Sequence, residues 1–305
     1  MTTTIDPQPE PRPSAPIDAA TAGPPQVSEW KRILGGIGPL FWACVIWVAA
    51  LVFVAVFAYQ LPIKRYGDFD TDHLYGAFSG RHWLGSNNEG DDLLGLSIQG
   101  ARISILVGVV TTFLGTLIGG AAGVVAGYFG GKWDSAISFV VDVFLSLPAL
   151  VLLLAVVDFL GGASIKNLII GLLVLAIPAI ARITRANTLP FRQREFVTAA
   201  RALGAKNRRI IVKEILPNVV PTMLSFAITL MAIIIVADGA LAFLGLGLGK
   251  EQPSWGGLIL GGRNYLEQAP QISLVPCAFL TMTVLSLTLI GDRLQARFAG
   301  RQARL

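Results

Sequence analysis

Charge is scarce in this sequence. Only 14% of its 305 residues are Asp, Glu, Lys or Arg, against roughly 25% in a soluble domain. That excludes a chain folded in water around one core. Cysteine is nearly absent. Cys44 and Cys277 both fall inside apolar runs and read as small buried side chains, not as a disulfide or a metal pair. The two histidines, His73 and His82, share one polar stretch with no partner at metal-ligand spacing. A phosphate-binding loop is also missing. The nearest stretch, LGLGLGKE (244–251), has Leu244 where the first Gly is required and Glu251 where Ser or Thr is required. No nucleophile–base pair or carboxylate dyad stands out, so the chain reads as non-enzymatic, with no catalytic residue, no metal and no cofactor of its own.

The amino-terminal stretch lacks apolar runs. MTTTIDPQPEPRPSAPIDAATAGPPQ is rich in Pro, Thr and Ala. Such a composition cannot bury enough surface to offset the entropy of ordering, so residues 1–34 are expected to be a disordered tail. The basic start and apolar core of a secretory signal are missing, so the first apolar run is expected to be retained.

Apolar runs dominate the rest. Hydrophobic residues make up 53% and the mean hydropathy is +0.65. A bilayer core needs about 20 apolar residues per helix. Runs of that kind lie near 36–60, 103–128, 135–160, 167–187, 218–246 and 272–291. The mixed segment 93–102 reads as an early start to the second run or as an interfacial helix. The expected fold is an all-α membrane protein with about six transmembrane helices. Its divisions are a 1–34 cytoplasmic tail, a first span with outer loop over 35–98, a core over 99–295, and a 296–305 cytoplasmic tail.

Orientation follows from the basic residues, which concentrate on the cytoplasmic side of spans. With both termini inside and six crossings, seventeen of the 24 Lys and Arg residues fall on the inner side and six on the outer. The net charge of +5 is thereby accounted for by topology. No basic surface interleaved with aromatics points to nucleic acid.

Within the spans, Gly115, Gly119, Gly123 and Gly127 recur every four residues and share one helical face. In lipid, small residues allow close backbone approach, so this face is expected to pack against another helix. Asp142, Asp158 and Asp238 interrupt apolar runs. Asp158 sits near a span end and reads as hydrated. Asp142 and Asp238 are open to three roles: facing a translocation path, joining an internal hydrogen-bond network, or carrying a proton.

Between the fourth and fifth runs lies REFVTAARALGAKNRRIIVKEILPN (194–218), with six basic residues. Phe196, Ala199, Ala200 and Leu203 recur at helical spacing and form a narrow apolar face. Glu195, Thr198 and Arg201 surround it. Gly204 follows, where a left-handed residue ends a helix. Small alanines on an exposed face suit insertion into a protein groove. A helix lying on lipid would favour bulky Leu and Trp instead.

TAARALG followed by EILPN resembles the cytoplasmic coupling motif of binding-protein-dependent ABC importer permeases. Ala199, Ala200, Gly204, Leu216 and Pro217 match in place, Thr198 replaces the usual Glu, and Glu214 stands where an Ile is usual. The segment HWLGSNNEGDDLLGLSIQGARISILVG (82–108), together with GYFGGKWD, LAFLGLGL, PSWG and GRNYL, is similar to the C-type subunit of dipeptide and oligopeptide permeases. Trp83 and Asp91 depart from that pattern. The resemblance implies a bacterial inner-membrane permease for di- or oligopeptides. Its implied partners are a second permease subunit, two ATPase domains that use ATP and magnesium, and an extracytoplasmic substrate-binding protein. The implied ATPase contact spans Glu195, Phe196, Thr198, Ala199, Ala200, Leu203, Gly204, Arg208, Leu216 and Pro217. Other readings are a permease for nickel or another small solute, a proton-coupled secondary transporter, and a membrane-anchored interaction protein.

Overall fold

The structure is a computed structural model, and it describes residues 38–57, 75–76, 83–249 and 252–302. The expected 1–34 tail, His73, His82, and Lys250–Glu251 of the rejected phosphate loop lie outside these residues. So do the outer ends of the first apolar run.

Apolar composition becomes helix nearly everywhere. The elements are α1 (Pro39–Phe57), α2 (Leu93–Phe129), α3 (Gly131–Ser146), α4 (Ala149–Phe159), α5 (Ile165–Arg192), α6 (Glu195–Ala202), α7 (Asn207–Ile210), α8 (Leu216–Leu241), α9 (Trp255–Gly262) and α10 (Gln271–Gln302). A π-helical turn, Ile211–Ile215, makes α7 and α8 continuous, and a second π turn extends α8 to Leu246. Among the described residues, five helices are long and apolar enough to cross a membrane, and the bent pair α3–α4 makes a sixth crossing if counted as one span.

The structure adds detail at three places. The second span starts at Leu93, capped by the Asp92 carboxylate, which accepts from the Gly95 amide at 3.0 Å. At 1.5 Å per residue its 37 residues run for about 55 Å, so the 98/99 boundary falls inside a helix. The third run is not straight: α3 and α4 meet at 94°. The break is Leu147–Pro148, where Pro removes an amide donor and its ring disfavours helix in the residue before it; Leu147 is accordingly extended (φ −82°, ψ 142°). The last helix continues through residue 296 to Gln302.

Helices α2 and α5 form the centre. The four glycines of α2 meet α5 of the same chain. A Cβ on Gly115 would sit 2.9 Å from the Ala176 Cβ, on Gly123 2.5 Å from the Ala181 carbonyl oxygen, and on Gly127 2.6 Å from the Thr188 Cβ. On Gly119 it would collide with the Ile177 carbonyl oxygen. The backbones therefore touch along this seam. Another face of α2 packs on α8, where Gly108 admits Ile235 and Gly120 admits Met223. Val107, Leu153, Leu172, Ile180 and Leu241 fill the space between these helices.

Helix α1 leans on α2 and α10. Leu51 and Ala55 join Ala101, Ile105 and Leu287, and the Trp47 indole donates to the Thr283 hydroxyl at 3.2 Å. Helix α9 is wedged against α2, α8 and α10. Its fully buried Trp255 donates from Nε1 to the Ser97 carbonyl at 2.8 Å, and Gly256 packs on Gly239 and Ala242. Beside it, the loop before α2 is organised by Asn87, whose side-chain oxygen accepts from the Glu89 and Asp91 amides, each at 2.8 Å. A cavity of about 390 Å³ at this end is lined by Asn87, Asn88, Ser97, Leu258 and Tyr265 among others.

Candidate functional site

Helix α6 is short, and an isolated helix of eight residues does not persist in water. Its order comes from anchoring on one side. Val197 is fully buried in a cluster with Tyr128, Phe191, Ile210, Ile215 and Val219, and Ala200 and Ala205 pack on that cluster. The Tyr128 hydroxyl donates to the Asn207 side-chain oxygen at 2.8 Å, and the Arg201 guanidinium lies over the Tyr128 ring at 5.9 Å. The end of α2, the end of α5 and the start of α7 thus hold the segment as one body.

The helix stops in a defined way. The Ala205 amide bonds to the Ala200 carbonyl and the Gly204 amide to the Arg201 carbonyl, each at 3.0 Å. This is a Schellman end, and it requires a left-handed residue at Gly204. Gly204 has φ +79°, with open space where a side chain would stand. Pro217 falls in the first turn of α8, just after the Ile211–Ile215 π turn. A proline lacks an amide to donate back one turn, and in the continuous helix the π turn lies just before it.

The remaining candidates project outward. Glu195, Thr198, Ala199, Arg208 and Pro217 are exposed, Leu216 is half-buried, and the apolar Phe196 and Leu203 are 38% and 89% exposed. Leu203, at the end of the helix, is the most exposed large apolar residue of the segment. The expected apolar face therefore divides: Phe196, Ala199 and Leu203 face outward, whereas Ala200 turns toward the cluster. Val197, Tyr128, Phe191 and Asn207 carry the anchoring and lay outside the sequence-based set. The available signal was phase, since Val197 and Ala200 lie one helical turn apart on the inner side.

The acidic residues separate as well. Asp158 is exposed at the end of α4. Asp238, on α8, is 2% exposed, and its Oδ2 has no hydrogen-bond partner among the described residues. Asp142, on α3, is not buried; it pairs with Arg182 on α5. One or two turns nearer the α6 end, Asp134 and Arg185 form a second pair, bonded from Nε to Oδ1 and from Nη2 to Oδ2 at 2.8 Å. Among the described residues, no group of three or more His, Cys, Asp or Glu comes together as a metal site.

Long apolar helices, one broken pair and a short helix anchored beside them are the architecture of a multi-span membrane protein. The chain belongs to the family described as binding-protein-dependent transport system inner membrane component, whose model matches residues 119–304. It is 36% identical over 251 residues to a glutathione transport system permease protein of Escherichia coli O6:K15:H31, covering 82% of each chain. It is 33% identical over 267 residues to the glutathione transport system permease protein of Pectobacterium atrosepticum, covering 87% of this chain and 88% of the relative. Solved structures share the fold. A methionine ABC transporter in an inward-facing conformation matches with a TM-score of 0.55 at 23% identity, over 68% of this chain and 97% of that one. An amino acid ABC transporter matches with a TM-score of 0.53 at 15% identity, over 67% and 94%. The chain is accordingly an ABC importer permease subunit, a membrane transport component and not an enzyme. Members of its family normally work with ATPase and substrate-binding partners.

Proposed function

We propose that this permease imports short peptides or peptide-like solutes and is driven through α6. The observation that supports the coupling role most directly is the geometry of residues 195–204. One side is anchored to three other elements, and the other side presents Phe196, Ala199 and Leu203 to an absent partner. A lever must be stiff toward the machine it moves and available to the motor that pushes it. The partner is an ATPase domain that uses ATP and magnesium, with a second permease subunit and a second ATPase completing the assembly. An extracytoplasmic binding protein delivers the substrate. The excess of Lys and Arg on the α6 side supports placing that side, and both termini, in the cytoplasm. ATP-driven closure of the motor favours one arrangement of the spans through contacts made in that state alone.

Peptide-like cargo rests on the relatives, named for the transport of glutathione, itself a tripeptide. Nickel or another small solute is the second reading of cargo. The proton-coupled secondary transporter is set aside by membership of an ABC importer family. The test is ATP-driven uptake by the assembly, purified through this chain together with its binding protein and reconstituted in vesicles. Uptake of radiolabelled trialanine that stops without ATP is the expected result. Uptake of nickel but of no peptide would overturn the cargo reading.

A further inference from the structure

We propose that Arg182, steadied by Asp142, lines the water-filled substrate path and engages the terminal carboxylate of the passing peptide; this rests on the peptide reading above. The first observation is depth. Arg182 lies inside the apolar run 167–187 carried by α5, five residues or about 8 Å from its inner end. At that depth a charge facing lipid is costly, and ionisable groups there face water or protein. Yet the Arg182 and Asp142 side chains are 55% and 62% exposed. A surface of this charge is better matched by water or protein than by lipid.

The second observation is the pattern of α3. Ser135, Ser138, Asp142 and Ser146 recur at helical spacing and form a polar stripe that ends at the Leu147–Pro148 break. Trp133 and Val143 lie off it and are exposed, and the exposed Phe139 borders it. A cavity of about 200 Å³ lies between this stripe and α5, lined by Ser138, Asp142, Arg182 and Arg185 among others. That is room for several waters, each occupying about 30 Å³. A polar stripe, a cavity of mixed lining and an exposed ion pair share one side of a membrane helix.

The third observation is the difference between the two pairs. Arg185 grips Asp134 through both its Nε and Nη2, and it is the more buried of the two. Arg182 meets Asp142 through Nη2 alone. A guanidinium has five N–H donors in a planar fork, so a second edge remains for a carboxylate, which a guanidinium binds bidentately. Asp142 keeps the cation compensated before cargo arrives. It also limits how tightly an incoming anion is held, as a conduit requires, since cargo must leave as well as enter.

The test compares cargo that differs only at that carboxylate. The whole assembly, reconstituted as above with its binding protein, is given trialanine and its C-terminal amide. Uptake is measured for the wild type, Arg182→Gln, Arg182→Lys, and the reversed pair Arg182→Asp with Asp142→Arg. The expected result is a preference of about tenfold for the free acid in the wild type, as loss of one charge-assisted hydrogen bond would give. That preference should fall to about one in Arg182→Gln, be retained in part by Arg182→Lys, and not return in the reversed pair. Equal wild-type uptake of acid and amide, an equal loss of both in Arg182→Gln, or rescue by the reversed pair would overturn the carboxylate contact and leave a helix-to-helix latch. Wild-type vesicles that hydrolyse ATP but take up neither form would remove the peptide reading, and this proposal with it.

Discussion

At the scale of single residues, the glycines do two unlike jobs. Those of α2 are small because a backbone lies against them. Gly119→Ala would drive a Cβ into the Ile177 carbonyl, and overpacking of this kind costs about 1–3 kcal/mol. The expected outcome is a lower thermal midpoint for the detergent-solubilised chain with Gly119→Ala, lower still with Gly119→Leu, and no change with Gly261→Ala, where nothing lies within 4 Å. Fluorescence-detected gel filtration after heating reads this directly, and a Gly119→Leu protein as heat-stable as the wild type would contradict the seam. Gly204 is different, because it is open to solvent and its constraint is the +79° φ. Asn visits that conformation readily, whereas for other residues it costs about 1–2 kcal/mol. Gly204→Asn is expected to keep most ATP-driven uptake. Gly204→Trp should insert at normal levels and lose it, because strain and bulk combine at a surface meant for a partner. Full uptake by Gly204→Trp would count against docking there.

At the scale of elements, α6 has an inner and an outer side that fail differently when altered. Val197→Asn places an amide in a fully buried apolar site, which costs about 1–3 kcal/mol when no partner is supplied. It should loosen the segment and make it a target for limited proteolysis. Leu203→Ala, at 89% exposure, should leave proteolysis unchanged yet weaken the coupling of uptake to ATP hydrolysis. Equal protease sensitivity of the two variants would mean that the helix is not anchored as described. The sequence announced this helix through its 3.6-residue rhythm but placed Ala200 with the outward group. The correction comes from phase: Ala200 lies one turn from Val197, whose burial sets the inner side. Which stripe of a short helix is buried depends on the cluster opposite, and residue type does not name that.

At the scale of the whole molecule, α3 is the element least covered by its own chain. Only Val141 is buried along it, although it belongs to a candidate span. An apolar helix this open is covered by lipid or by another subunit, and its polar stripe favours water and protein on that side. Purification through this chain in mild detergent should therefore bring down a second permease and two ATPase domains in fixed proportion, measured by intact-complex mass. A monomeric species carrying none of them would contradict the assembly. In that complex, amides of α3 should exchange hydrogen more slowly than in the isolated chain.

The sequence alone determined that this chain is a helical membrane protein of several spans and that a short helix ending at Gly204 stands between two of them. These follow from composition and periodicity, local properties that need no knowledge of what lies opposite. Tertiary structure alone decided that the glycine seam closes on α5 of the same chain and that the third span breaks by 94° at Leu147–Pro148. It also decided that Asp142 meets Arg182, forty residues away. Each is a pairing between distant segments. In an apolar solvent nearly every helix face looks alike to the sequence, so only the three-dimensional fit of backbones and charges selects which faces meet.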